Sequence, residues 1–150
     1  MKDTTSYIVC LAILITSCAA PASDKSAAAK AEIIKADQDM DLLASQKGFN
    51  EALLAYAADS VIKPKEGEAA VIGKNNLSKY FNGKESSKLL RWHPVMASAS
   101  ASGDMGYTFG NWKLPSGDTV YYGNYVTIWI KDKNGHWKFV YDGGNNTPAP

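Results

Sequence analysis

Cysteine is almost missing from this chain: its 150 residues hold two, Cys10 and Cys18, both near the N-terminus. The remainder therefore has no thiol for a disulfide framework, a cysteine-built metal site or a cysteine nucleophile. Histidine is equally scarce, at two residues. No Walker loop, HExxH helix or CxxC pair occurs, which leaves no metal or cofactor to expect. The formal net charge is +1 and no basic stripe stands out, so nucleic acid is not an expected partner. No apolar run reaches the roughly 20 residues that a helix needs to span a bilayer. What is present is a globular composition of 45% hydrophobic, 11% aromatic and 21% charged residues, enough for one core and a wetted surface.

The first stretch reads as an address. A short polar segment holding Lys2 precedes the apolar run from Tyr7 to Ile15, the pattern of a signal peptide. Ile15-Thr16-Ser17-Cys18 resembles the bacterial lipobox, an aliphatic residue and two small ones before cysteine. The resemblance implies cleavage before Cys18 and diacylation of its thiol. A plain secretory signal cut near Ala20 is the alternative, disfavoured by Pro21 immediately after the cut. The expected organisation is a lipoprotein signal peptide over 1–17, a lipidated tether over 18–26, one folded domain over 27–144 and a disordered tail over 145–150. Two acyl chains give stable membrane anchoring. The expected location is the bacterial cell envelope, and Ala19 rather than Asp after the lipidated residue implies the outer membrane, facing the periplasm, where the organism has one.

Asp24 or Ser26 can cap a helix that starts in the alanine run and ends near Gln46. Its apolar stripe, Ile33, Ala36, Met40, Leu43 and Ala44, has a period close to 3.6. Asp37 falls inside that stripe. A carboxylate on a core-facing stripe must be hydrogen-bonded, protonated or in contact with a wet cavity. It is either a locally paired structural group or a pocket residue, and it is the chain's leading acid/base candidate. Gly48 breaks the helix, a second follows from Phe49 to Ala58, and a third begins near Asn75 or Asn76.

The C-terminal half reads as strands. Leu89 to Ser102 alternates, with Pro94 marking a bulge or an edge; Met105 to Leu114 comes next. Thr119 to Asp142 forms a hairpin around Asn134-Gly135. One of its faces, Val126, Ile128, Ile130, Trp137, Phe139 and Tyr141, is apolar and is expected to meet the helices. The other, Tyr125, Thr127, Trp129, Lys131, Lys138, Val140 and Asp142, is mixed and is expected to face a partner. Helices followed by an antiparallel meander predict an α+β domain.

Three stretches carry a family likeness: Gly103-Asp104-Met105-Gly106-Tyr107-Thr108-Phe109-Gly110, Gly123 to Trp129, and Asn134 to Asp142. Together with Trp92 and Pro94 they resemble the DUF4440 branch of the NTF2-like (SnoaL-like) superfamily. The resemblance implies a cone-shaped barrel, three helices packed on a strongly curved, mainly antiparallel sheet, with a pocket between them and commonly a homodimer. That superfamily includes a ketosteroid isomerase and polyketide cyclases beside plain binding proteins, so fold does not fix function. The isomerase pattern is not matched: helix one holds no tyrosine, and Val61-Ile62-Lys63 stands where that enzyme's base would lie.

Trp92, Tyr107, Trp112, Tyr125 and Tyr141, with Asp142, are the candidate lining of a small-molecule pocket. Each aromatic is equally at home in a core or an interface. The leading reading is an envelope-tethered domain that binds a small apolar or amphipathic ligand. Alternatives are a small lyase, isomerase or hydrolase using Asp37, and a dimeric interaction subunit.

Overall fold

The computed structural model describes residues 23–150. The leader over 1–17 and the lipidation at Cys18 lie outside the described residues.

Helix α1, Ser26–Lys47, starts where the Asp24 carboxylate accepts a hydrogen bond of 2.8 Å from the Ser26 N–H. Neither residue expected to cap it occupies the N-cap, which is Lys25: Asp24 lies one residue before it and Ser26 is already helical. Ala29, Ile33, Ala36, Asp37, Met40, Asp41 and Ala44 form its buried face, a stripe at steps of three and four. Gly48, at φ 99°, turns the chain into α2, Phe49–Tyr56. This helix is two residues shorter than its pattern predicted, and strand β1, Ala57–Lys65, follows without a loop. Then come β2 (Glu68–Ile72), α3 (Lys74–Phe81), β3 (Arg91–Ala99), β4 (Met105–Ser116), β5 (Thr119–Lys131) and β6 (Trp137–Thr147).

The strands form one sheet in the order β2-β1-β6-β5-β4-β3. Only β1 and β6 pair in parallel; the remaining neighbours are antiparallel. Three helices on a mainly antiparallel sheet are the α+β layout expected from the sequence. Pro94 does both things its chemistry allows: β3 is an edge strand, and its register with β4 shifts between Pro94 and Met96. The shift lets Trp92 and Ala97, an odd number of residues apart, both face inward.

Two expectations are corrected. First, the tail begins later than residue 145, since Asn145 pairs with Asn124 and Thr147 with Tyr122. The ladder stops where Pro148, without an N–H, follows. Second, the faces of the β5–β6 hairpin are exchanged. Tyr125, Thr127 and Trp129 are buried under the helices, whereas Val126, Ile128 and Ile130 are only partly covered on the outer face. A bulge between Phe139 and Tyr141 changes the parity of β6, so Trp137, Phe139 and Asp142 point inward while Tyr141 does not. The core centres on Ile33, Met40, Leu53, Val61, Leu77, Trp129 and Phe139, each at most 1% exposed. Burying such side chains contributes roughly 1.5–3 kcal/mol each.

Candidate functional site

Asp37 lies in the middle of α1 and is fully buried. Its Oδ1 accepts hydrogen bonds from Trp92 Nε1 and from the Tyr125 hydroxyl, both at 2.9 Å. Its Oδ2 accepts one from Thr108 Oγ1 at 2.5 Å. Thr108 in turn accepts from Trp129 Nε1 at 3.0 Å. One carboxylate thus ties α1 to β3, β4 and β5 at once. All three of its donors are neutral, so no positive charge offsets its desolvation. Burial accordingly raises its pKa to about 6, against the opposing pull of the hydrogen bonds from Thr108, Tyr125 and Trp92. Burial, and then the neighbouring Asp37 charge, also pushes the Tyr125 phenol upward, which keeps its proton in place to donate.

One turn further along α1, Asp41 holds the start of β3. Its Oδ1 accepts from the Trp92 N–H at 2.9 Å, and the Arg91 guanidinium reaches both oxygens, closest at 2.5 Å. Asp37 and Asp41 therefore fix Trp92 by side chain and by backbone.

Between α1, α2 and the inner face of the sheet lies a cavity of about 280 Å³. Met40, Phe49, Leu53, Leu90, Trp92, Trp112 and Leu114 give it apolar walls, and Tyr125, Asp142, Glu66, Asn145 and Asn146 supply the polar ones. Two glycines make room for its rings. A Cβ on Gly110 would stand 2.5 Å from the Tyr125 ring, and one on Gly123 would stand 2.2 Å from that of Trp112. Glycine in a strand is the residue that permits such an approach. At the far end the Asp142 carboxylate accepts from Thr127 Oγ1 at 2.9 Å and from Lys63 Nζ at 2.6 Å.

The structure brings Trp92, Trp112, Tyr125 and Asp142 together around this cavity. Asp37 stands behind the wall and is linked to the space through two lining residues, the Trp92 indole N–H and the Tyr125 hydroxyl. Tyr107 and Tyr141 are not in the site. Tyr107 is exposed on the outer face with its hydroxyl 3.9 Å from Met96 Sδ, and Tyr141 lies opposite Ile128 on that same face. Sequence reasoning missed Lys63, Glu66 and Phe49. Lys63 had a signal: it shares a face of β1 with the buried Val61, because side chains alternate along a strand. Among the described residues no group of three or more His, Cys, Asp or Glu side chains is arranged to hold a metal.

Comparison with solved structures places the architecture. An NTF2-like protein of unknown function from Pseudomonas putida superposes with a TM-score of 0.66 at 15% identity, over 80% of this chain and 87% of that one. The fold is NTF2-like. A ketosteroid isomerase-like protein from Erwinia carotovora atroseptica matches with a TM-score of 0.59 at 15% identity, over 78% of this chain and 95% of its own. An NTF2-like protein with a cystatin-like fold from Novosphingobium aromaticivorans gives 0.60 at 16%, over 79% and 81% of the two chains. No protein-family model matches the sequence, and no curated protein does. At these identities the likeness is one of fold. An NTF2-like fold does not by itself fix a chemistry.

Proposed function

We propose that this NTF2-like domain is a binding module that holds a small apolar or amphipathic ligand. The observation that supports this most is the cavity of about 280 Å³ with aromatic and aliphatic walls and a few polar groups gathered in it, the usual make-up of a small-molecule site. Asp37 then serves the site by holding Trp92 and Tyr125 in place. As an acid/base in an enzyme it would act only through Tyr125, since it does not touch the cavity. The test combines native mass spectrometry of the protein purified from its own cells with a thermal-shift screen of apolar and amphipathic compounds. Co-purification of a ligand, or stabilisation by several degrees, is expected; no ligand and no shift overturn the reading.

The resemblance to the DUF4440 branch is supported by Gly103 to Gly110, Gly123 to Trp129 and Asn134 to Asp142, with Trp92 and Pro94; in the first of these, Thr108 and Gly110 serve Asp37 and Tyr125. Ile15-Thr16-Ser17-Cys18 supports anchoring in the bacterial envelope through lipid on Cys18. Cys18→Ser is expected to move the protein from the membrane fraction to the soluble one; an unchanged distribution overturns the anchor.

A second reading, self-association as a homodimer, is favoured by the outer face of the sheet. Tyr107, Ile128, Tyr141, Ile62 and Ile72 stand in successive register across five strands, an apolar row on the face opposite the helices among the described residues. The surface expected for a partner is thus this face, and the mixed face of the hairpin lines the cavity instead.

A further inference from the structure

We propose that the cavity is built for an organic cation: a small molecule with an apolar body and an alkylated ammonium group. This rests on the binding reading above and names the class of its ligand. Four aromatic side chains, Phe49, Trp92, Trp112 and Tyr125, line the space. Phe49 and Trp92 stand at 90° with centroids 5.9 Å apart, so two rings form a corner. Aromatic faces carry negative charge density and attract ammonium groups within about 6 Å.

The charged groups point the same way. Glu66 and Asp142 line the cavity, and among the described residues no lysine or arginine does. Immediately behind Tyr125 lies Asp37, whose partners are all neutral donors. Lys63 offsets one of these three carboxylates, Asp142; Arg91 is taken up by Asp41. The Tyr125 proton is directed at Asp37, which leaves the phenolic oxygen to present lone pairs to the cavity. The protein already places one ammonium in this chemistry: Lys63 Nζ lies 5.9 Å from the Phe49 ring centroid and 2.6 Å from Asp142. A ligand carboxylate would face the Glu66 and Asp142 carboxylates here, with the neutral amides of Asn145 and Asn146 as the lining's side-chain donors.

The experiment uses a matched trio at pH 7.5 on the folded domain: benzyltrimethylammonium, its neutral carbon isostere neopentylbenzene, and 3-phenylpropanoate. Tryptophan fluorescence reads binding, since Trp92 and Trp112 line the site. The cation is expected to bind about tenfold or more tighter than either analogue, the size of a desolvated cation–π contribution. Glu66→Gln, at the exposed mouth, is expected to weaken the cation several-fold with little change for the uncharged isostere, and Trp112→Leu to weaken both ligands but the cation several-fold more. Should Trp112→Leu fail to fold, Glu66→Gln carries the comparison. Equal binding of cation and neutral isostere, or tighter binding of the carboxylate, overturns the cation assignment while the cavity remains a binding site. Binding of none of the three also overturns it, and together with a blank thermal-shift screen removes the binding reading itself.

Discussion

At the scale of single residues, Asp37 decides most. Unfolded, its carboxyl titrates near the ordinary ~3.9; folded, burial holds it up at about 6. The unfolded chain therefore gives up this proton first as pH rises. The contribution of Asp37 to stability is full below about pH 4, declines through the interval to about pH 6 and then levels off, a change of roughly 3 kcal/mol at 1.36 kcal/mol per pH unit. Asp37→Asn should remove that slope. The amide oxygen can still accept from Trp92 and Tyr125, and the amide nitrogen can donate to Thr108. Urea unfolding of the two proteins at pH 4.5 and pH 7 checks this: the wild type loses stability between them relative to the Asn variant, and parallel curves would show that Asp37 titrates normally. Asp37→Ala is the harsher change. It leaves the buried donors of Trp92, Thr108 and Tyr125 without an acceptor, so a loss of about 3–5 kcal/mol is expected at either pH.

At the scale of elements, the question is what pins α1 to the edge strand β3. Asp41 makes two kinds of bond there, one to the buried Trp92 N–H and a fork to the half-exposed Arg91. They are not equivalent. Arg91→Ala should cost about 1 kcal/mol, because the guanidinium is half-exposed and water can take its place while the Asp41 carboxylate keeps the Trp92 N–H. Asp41→Ala should cost about 2–4 kcal/mol, because it also orphans a buried backbone donor. Hydrogen exchange at the Trp92 amide separates the two: fast in Asp41→Ala, near wild type in Arg91→Ala. Equal effects of both variants would mean that the ion pair, not the backbone bond, holds the strand. The helix stripe that carries Asp37 was legible in the sequence because a period of 3.6 survives any packing. The hairpin faces were not, because alternation shows that two faces differ without saying which one goes inside. Tyr125 and Thr127 looked like outer residues, yet their hydroxyls are consumed by Asp37 and Asp142, which makes their burial inexpensive. The bulge near Val140 carries no glycine or proline to mark it, whereas the one after Pro94 announces itself.

At the scale of the whole molecule, the same exchange of faces leaves the aliphatic side of the sheet outside. The order of elements and the mainly antiparallel sheet followed from local patterns, but this row depends on register across five strands, which only folding reveals. Tyr107, Ile62 and Ile72 in this band are 38%, 39% and 62% exposed, and an apolar row continued from strand to strand is the kind of surface that marks an interaction site. Two copies meeting through it would also keep the cavity free, since that opens on the opposite face. Ile128 lies between Tyr107 and Tyr141 in the row, so a charge there sits at the centre of any contact. The wild-type domain is expected to sediment as a dimer at tens of micromolar, and Ile128→Lys as a monomer with unchanged circular dichroism and unchanged ligand affinity. A stable dimer needs an interface of about 1,000 Å² or more, and burying a lysine ammonium at its middle without a partner costs several kcal/mol, enough to dissociate it. A wild-type monomer at that concentration would rule out self-association through this face. A dimer that survives the lysine would place the contact elsewhere, most directly at the β2 or β3 edge, where unpaired strand N–H and C=O groups remain available for pairing.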